Sequence, residues 1–235
     1  MLRHALLFFG LLAPAHGLPV VLYNGSLNTG LTSQGWSFGA DALSFSQNVS
    51  GGATTLTTTG SIRAGYSILS PFTLDHNVSY NFTFDVQLNS EDHSVSGLTN
   101  DRSGFSIIVI SSDLQGIELG FWTTDIWAQN VGFTHGEDKA IDTTQRRTYS
   151  LGIGGSGYQL SSGGAVLLSG ALRTYSGFPY NVPNFIFVGD DTHEANANSS
   201  VFGVTAATPE PGAIVLTLAG LALVIGRASR RSATR

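Results

Sequence analysis

The sequence holds no cysteine. Disulfides and thiolate metal sites are therefore excluded, and stability must come from packing or from a bound cation. Lysine is nearly absent as well, with Lys139 the only one. Between residues 18 and 208, six Lys or Arg stand against fifteen Asp or Glu, a net charge of −9 where the whole chain carries −5. No basic patch is left to engage phosphates, which argues against nucleic-acid binding. No run reaches the ~20 apolar residues of a full membrane span. After Leu18 no amphipathic helix is legible, no repeat of fixed period recurs, and no P-loop or dinucleotide fingerprint appears. What is plentiful is glycine, 29 residues of 235, mixed with Ser, Thr and Asn. That mixture punctuates a chain of short strands.

The C-terminus carries Thr208-Pro209-Glu210-Pro211-Gly212, then the apolar run Ala213 to Ile225, then Arg227, Arg230, Arg231 and Arg235. A helix of about 13 residues spans ~20 Å, short of a ~30 Å hydrocarbon core. It crosses only if the bilayer thins or the arginines snorkel. The arginines follow the run and none lies just before it, so the C-terminus is expected in the cytoplasm and everything before Pro209 across the membrane. Pro209 and Pro211 hold Glu210 extended and open to a membrane protease. These three parts in this order resemble the PEP-CTERM sorting signal of bacterial exported proteins. The resemblance implies cleavage near Pro209-Glu210-Pro211 by an exosortase-type membrane enzyme. Arg227, Arg230 and Arg231 would retain the precursor in the membrane until then, with release to the cell envelope or extracellular matrix afterwards. A permanent membrane anchor is the alternative.

The other end agrees. Met1-Leu2-Arg3-His4 is a basic n-region, Ala5 to Ala13 an apolar h-region, and Ala13-Pro14-Ala15 or Ala15-His16-Gly17 offers small residues to a signal peptidase. Residues 1–17 read as a secretory signal peptide. An exported domain over 18–205 and a sorting segment over 206–235, with its membrane helix at about 213–225, complete the division. Some 190 residues between the signals suffice for one domain with a core.

Within that domain Tyr80, Phe82, Phe84, Val86 and Leu88 alternate with Asn81, Thr83, Asp85 and Gln87, the period of a half-buried strand. Phe105 to Ile110 is apolar on nearly both faces and is expected at the centre of a sheet, with Ile117 to Trp122 a second central strand. Val20 to Tyr23 reads as a first strand and Thr54 to Thr59 as an edge strand. Residues 89–103 read as a long polar loop. Tyr149 to Val166 alternates around Gly154-Gly155-Ser156-Gly157 and Ser161-Ser162-Gly163-Gly164, a meander with glycine turns. Such spacing predicts an all-β antiparallel sandwich.

Arg102-Ser103-Gly104-Phe105-Ser106-Ile107-Ile108-Val109 and the meander ending Leu168-Ser169-Gly170-Ala171-Leu172 resemble strands of concanavalin A-like and laminin G-like jelly rolls. With Ile117-Glu118-Leu119-Gly120-Phe121-Trp122 and Gly189-Asp190-Asp191-Thr192, residues 80–205 are similar to the exported domains described as choice-of-anchor domains. The resemblance implies a jelly-roll sandwich in a polysaccharide-rich setting, with exopolysaccharide as a partner.

Chemistry is sparse. Glu118 lies in a predicted central strand, but a retaining glycosidase needs a second carboxylate nearby. The i+2 residue is Gly120, the next on that face is Trp122, and only Asp125 could substitute. The alternatives are a glycan-active hydrolase on a concanavalin A-like scaffold and a Glu118 that faces solvent or caps a hydrogen-bond network. Asp190 and Asp191, in an oxygen-rich loop, are the candidate calcium ligands, with a plain Asp/Asn turn as the other reading. His135-Gly136-Glu137-Asp138 and His193-Glu194 lack a second histidine at metal spacing and read as solvated loops. Trp127 and Trp122 are the candidate sugar contacts, although aromatics at strand positions more often belong to the core. The expected function is that of an exported, non-catalytic surface or matrix component, structural or glycan-binding.

Overall fold

The computed structural model describes residues 18–94 and 102–208. Fifteen strands occur among them: β1 Val20–Asn24, β2 Ser37–Ala40, β3 Phe45–Ser50, β4 Ala53–Thr58, β5 Ala64–Leu69, β6 Tyr80–Asp92, β7 Ser106–Ile110, β8 Gly116–Phe121, β9 Asp125–Gln129, β10 His135–Ala140, β11 Arg147–Gly154, β12 Gly157–Ser162, β13 Ala165–Ala171, β14 Phe185–Asp190 and β15 Asn196–Ala207. All belong to one unit, Pro19–Ala207. The Pro209-Glu210-Pro211 motif, the run 213–225, the arginines beyond it and residues 1–17 lie outside the described residues. No helix among the described residues is long and apolar enough to cross a membrane.

The strands form two antiparallel sheets. One has the order β13-β12-β11-β6-β15-β4-β3, with β1 also paired to β15. β15 is long enough to hold two partners on one edge, with Val201 opposite Thr54 of β4 and Val204 opposite Tyr23 of β1. The other sheet runs β10-β9-β8-β7-β14-β5-β2. The expected all-β jelly-roll sandwich is the fold found, and the doubly apolar run around Phe105–Ile110 forms the middle strand of its seven-stranded sheet.

The period-two pattern of β6 does what its chemistry requires. Phe82, Phe84, Val86 and Leu88 are buried between the sheets, while Asn81, Thr83, Asp85 and Gln87 are half-buried on the far side. Ile107, Val109, Ile117, Leu119, Ile186 and Val188 meet them from the seven-stranded sheet. Each such side chain taken from water contributes ~1.5–3 kcal/mol. Polar ties also join the sheets: Thr58 Oγ1 donates to Asp190 Oδ2 at 2.7 Å, and the Tyr80 and Ser111 hydroxyls meet at 2.6 Å.

Three expectations need correction. The loop expected over 89–103 begins late, because residues 90–92 stay paired to residues 196–198 of β15. The Thr54–Thr59 stretch is not an edge, since β4 lies between β15 and β3. His135 to Asp138 is not a solvated loop but part of β10, where Glu137 pairs with Arg173 and accepts from the Tyr158 hydroxyl.

The seven-stranded sheet has a second buried face. Ile108 and Ile110 point away from the main core and pack under Tyr175, Tyr180 and Phe185. The cover is the connection 172–184, which leaves β13 in one sheet and crosses the outer face of the other before entering β14. Mutual backbone hydrogen bonds between Arg173 and Gly116, at 2.8 and 2.9 Å, pin its start to β8. This crossing strap sets the position of the candidate site.

Candidate functional site

Glu118 sits on the outer face of β8, opposite in direction to Ile117 and Leu119. Its side chain would face water on a bare sheet. The strap covers it instead, and Glu118 is 0% exposed. Burial is possible because every oxygen finds a partner. Oε1 accepts from Arg102 Nη2 and from Ser106 Oγ, each at 3.3 Å, and Oε2 lies 2.6 Å from the Tyr180 hydroxyl. The backbone at this point is completed by the strap too. The Glu118 N–H donates to Tyr175 Oη at 3.2 Å, and Tyr175 donates on to the Gln129 carbonyl at 2.6 Å. Pairing between β8 and β9 begins at Leu119, so the tyrosine supplies the next bonds of the ladder.

The second carboxylate expected near Glu118 is Asp191, not Asp125. Asp191 Oδ2 accepts from Arg102 Nη2 at 2.7 Å and lies 3.1 Å from the same Tyr180 hydroxyl. Asp125 opens β9 and takes a hydrogen bond from the Thr124 hydroxyl. A phenol carries one proton and cannot donate to two carboxylate oxygens at once. A proton on one of the pair lets both contacts be hydrogen bonds. The shorter ion pair belongs to Asp191, which leaves the proton on Glu118. Burial, and then the neighbouring Asp191 charge, push the Glu118 carboxyl up to about 8, against the pull of Arg102. Burial likewise raises the Tyr180 and Tyr175 phenols. Burial works against the Arg102 charge, but Asp191 and Glu118 hold it above its ordinary value. The guanidinium also lies over the Phe133 ring, 4.4 Å from its centroid.

Asp190 and Asp191 do not converge. Asp190 reaches toward the other sheet, accepting from Thr58 Oγ1 and from the Thr192 N–H at 3.1 Å, and burial raises its carboxyl well above the ordinary range. Asp191 reaches toward Arg102 and the strap. Side chains with these separate partners do not fit a shared calcium ion. Among the described residues no three His, Asp or Glu gather where they could hold a metal ion.

Trp127 is 0% exposed and has no surface to offer a ligand. Its ring stacks on His135 at 3.9 Å and lies against Gly120, while its N–H donates to Gln129 Oε1 at 3.1 Å. Trp122 is half-buried, donates to the Arg102 carbonyl at 3.1 Å and stacks on His93 at 4.1 Å. The two tryptophans thus brace the arginine side of the buried cluster.

On the other side of Asp191 the sheet is open. Gly39, Gly65 and Gly189 stand opposite one another across β2, β5 and β14. Their missing side chains leave a trough. The Phe187 ring lies down in it, so close that a Cβ on Gly65 would come 2.3 Å from the ring. A pocket of about 290 Å³ results, walled by Phe178, Phe185 and Phe187, with Asp41 and Arg63 at the rim. Asp41 fixes that arginine by accepting from its backbone N–H at 2.9 Å and from Nε at 3.1 Å. The sequence flagged Glu118 and Asp191 separately and missed their pairing. Nothing along the chain marked Tyr175, Tyr180, Arg63 or the three phenylalanines, and the only visible trace was the glycine at each step of the trough.

No protein-family model matches the sequence, and no curated protein matches it significantly. Solved structures are similar in fold. A sialidase aligns with a TM-score of 0.53 at 10% identity, over 85% of this chain and 19% of its own. The potassium-bound carbohydrate recognition domain of Emp46p aligns at 0.49 and 10% identity, over 79% of this chain and 95% of that one. The metal-free lectin I-B4 of Griffonia simplicifolia aligns at 0.46 and 13% identity, over 82% and 99%. At such identities the likeness is one of fold alone.

Proposed function

We infer that this chain is an exported, non-catalytic glycan-binding component of the cell surface or extracellular matrix, delivered by its PEP-CTERM tail. The observation that carries the binding half is the contrast between the two neighbouring sites. Glu118, the acid of the carboxylate pair that could attack and protonate a glycosidic bond, is sealed under the strap, wholly buried with each of its oxygens engaged, and only its partner Asp191 borders the open trough. An acid that cannot touch substrate cannot serve as catalyst. The trough beside it is open and combines aromatic walls with a charged rim. That mixture suits a sugar, which has an apolar ring face and a polar edge. The enzyme reading keeps one point in its favour, the raised Glu118 carboxyl beside Asp191.

The test is purified protein on a panel of polysaccharides, scored for binding and for released ends. Retention on a glycan without new ends supports the binding module. Turnover that disappears in Glu118→Gln overturns it in favour of a hydrolase. Sorting is tested separately by mass spectrometry of the released protein. A terminus near Pro209-Glu210-Pro211 is expected, whereas an intact C-terminus at Arg235 would make the tail a permanent anchor.

A further inference from the structure

We propose that the trough between β2, β5, β14 and the strap is a subsite for one ring of a neutral glycan, with Arg63, Asp41 and Asp191 reading its hydroxyls. This rests on the glycan-binding reading above and specifies its place and its ligand class.

The size comes first. A volume of about 290 Å³ lies at the lower end of small-molecule sites, enough for a single ring and not for a long stretch of polymer. The floor comes next. The in-register glycines let backbone form the bottom of the trough, and Phe187 and Phe185 supply flat apolar surface beside it. Phe178 stands at the strap end, 74% exposed. Its ring meets Phe185 edge-on with centroids 6.5 Å apart, which leaves its other face free to close over the apolar face of a sugar.

The polar groups decide the class. Arg63 is held by Asp41 through Nε, which leaves its two terminal nitrogens as further donors. Asp41, whose oxygens already accept from Arg63 and meet the His193 ring, and Asp191 bring acceptors. Asp191 Oδ2 is committed to Arg102 and Tyr180, but Oδ1 has no partner among the described residues, although the side chain is only 6% exposed. A buried acceptor without a donor is rare in a native fold. Asp191 lines the pocket together with Phe178 and Pro179 at the tip of the strap. A small shift of that tip admits a hydroxyl to Oδ1. Hydroxyls both donate and accept, so they match a rim that offers both. A uronate matches poorly, because its carboxylate would meet Arg63 only together with Asp41 and Asp191. The domain's charge of −9 over residues 18–208 adds repulsion toward any acidic polymer.

The experiment is titration of the purified protein with soluble β-glucan, galactan and mannan, against alginate and polygalacturonate, for the wild type and three variants. Ser67→Trp fills the trough from β5, Arg63→Ala removes the donors, and Phe178→Ala removes the exposed ring. Wild type is expected to bind at least one neutral glycan, and each variant to bind it about ten-fold or more weakly while melting within a few degrees of wild type. Should Ser67→Trp fail to fold, Phe178→Ala carries the same test, since its ring is mostly in water. Neutral binding unchanged in every folded variant overturns the subsite and leaves the glycan reading standing. Preference for alginate or polygalacturonate overturns the neutral class. No binding to any of the five overturns both readings.

Discussion

Glu118→Gln is the substitution on which the buried cluster can be judged. In the folded protein the Glu118 carboxyl keeps its proton to about pH 8, whereas an exposed glutamic acid loses it near 4.5. The native state therefore binds more protons than the unfolded chain between those values, and stability falls as pH rises through that window. The contribution is complete below pH 4.5 and gone above pH 8. Since one pKa unit corresponds to ~1.4 kcal/mol, the loss between pH 4.5 and 7 is about 3 kcal/mol. Full burial means solvent does not screen this interaction. Glutamine keeps the shape, stays neutral at every pH and can donate to Tyr180 Oη as the protonated acid does. The variant is expected to match wild type within ~1 kcal/mol at pH 4.5 and to exceed it by ~4 kcal/mol at pH 8. Urea denaturation of both proteins at half-unit steps from pH 4.5 to 8 measures the difference. Asp190, also raised, contributes to both proteins and cancels in the comparison. Parallel curves across the window would refute the assignment of the shared proton to Glu118.

Thr58→Val removes the donor to Asp190 and the acceptor of the Ala197 N–H, bonded at 2.7 and 3.0 Å. It should cost ~1–3 kcal/mol in urea denaturation, and a neutral result would deny the tie between the sheets a part in stability. Gly120→Ala would set a Cβ 2.6 Å from the Trp127 ring. A loss of ~1–3 kcal/mol with a shifted tryptophan emission is expected, and unchanged emission would mean the ring is not seated there. Alkaline phosphatase fused just before Pro209 should be active in bacteria, and a silent fusion beside an active cytoplasmic reporter would overturn the export topology.

Local pattern was enough for the strongly patterned strands and the all-β class, but not for β2, β3, β9 or β10. The alternation at Tyr80–Leu88 and the doubly apolar Phe105–Ile110 identify a half-buried strand and a central one, because period and burial depend only on neighbours along the chain. The glycine turns at 154–157 and 163–164 likewise set the meander β11-β12-β13. Pairing partners at long separation were beyond it. The Thr54–Thr59 strand carries no mark of whether another strand will cover its edge, and only β3 and β15 decide that. The site was less legible still. Glu118 and Asp191 are 73 positions apart, and the hydroxyl that joins them arrives on a strap whose own residues, Tyr175 to Val182, have no periodicity. A carboxyl's proton affinity is set by what surrounds it in space. Chain order carries that information only once the strap has crossed the sheet.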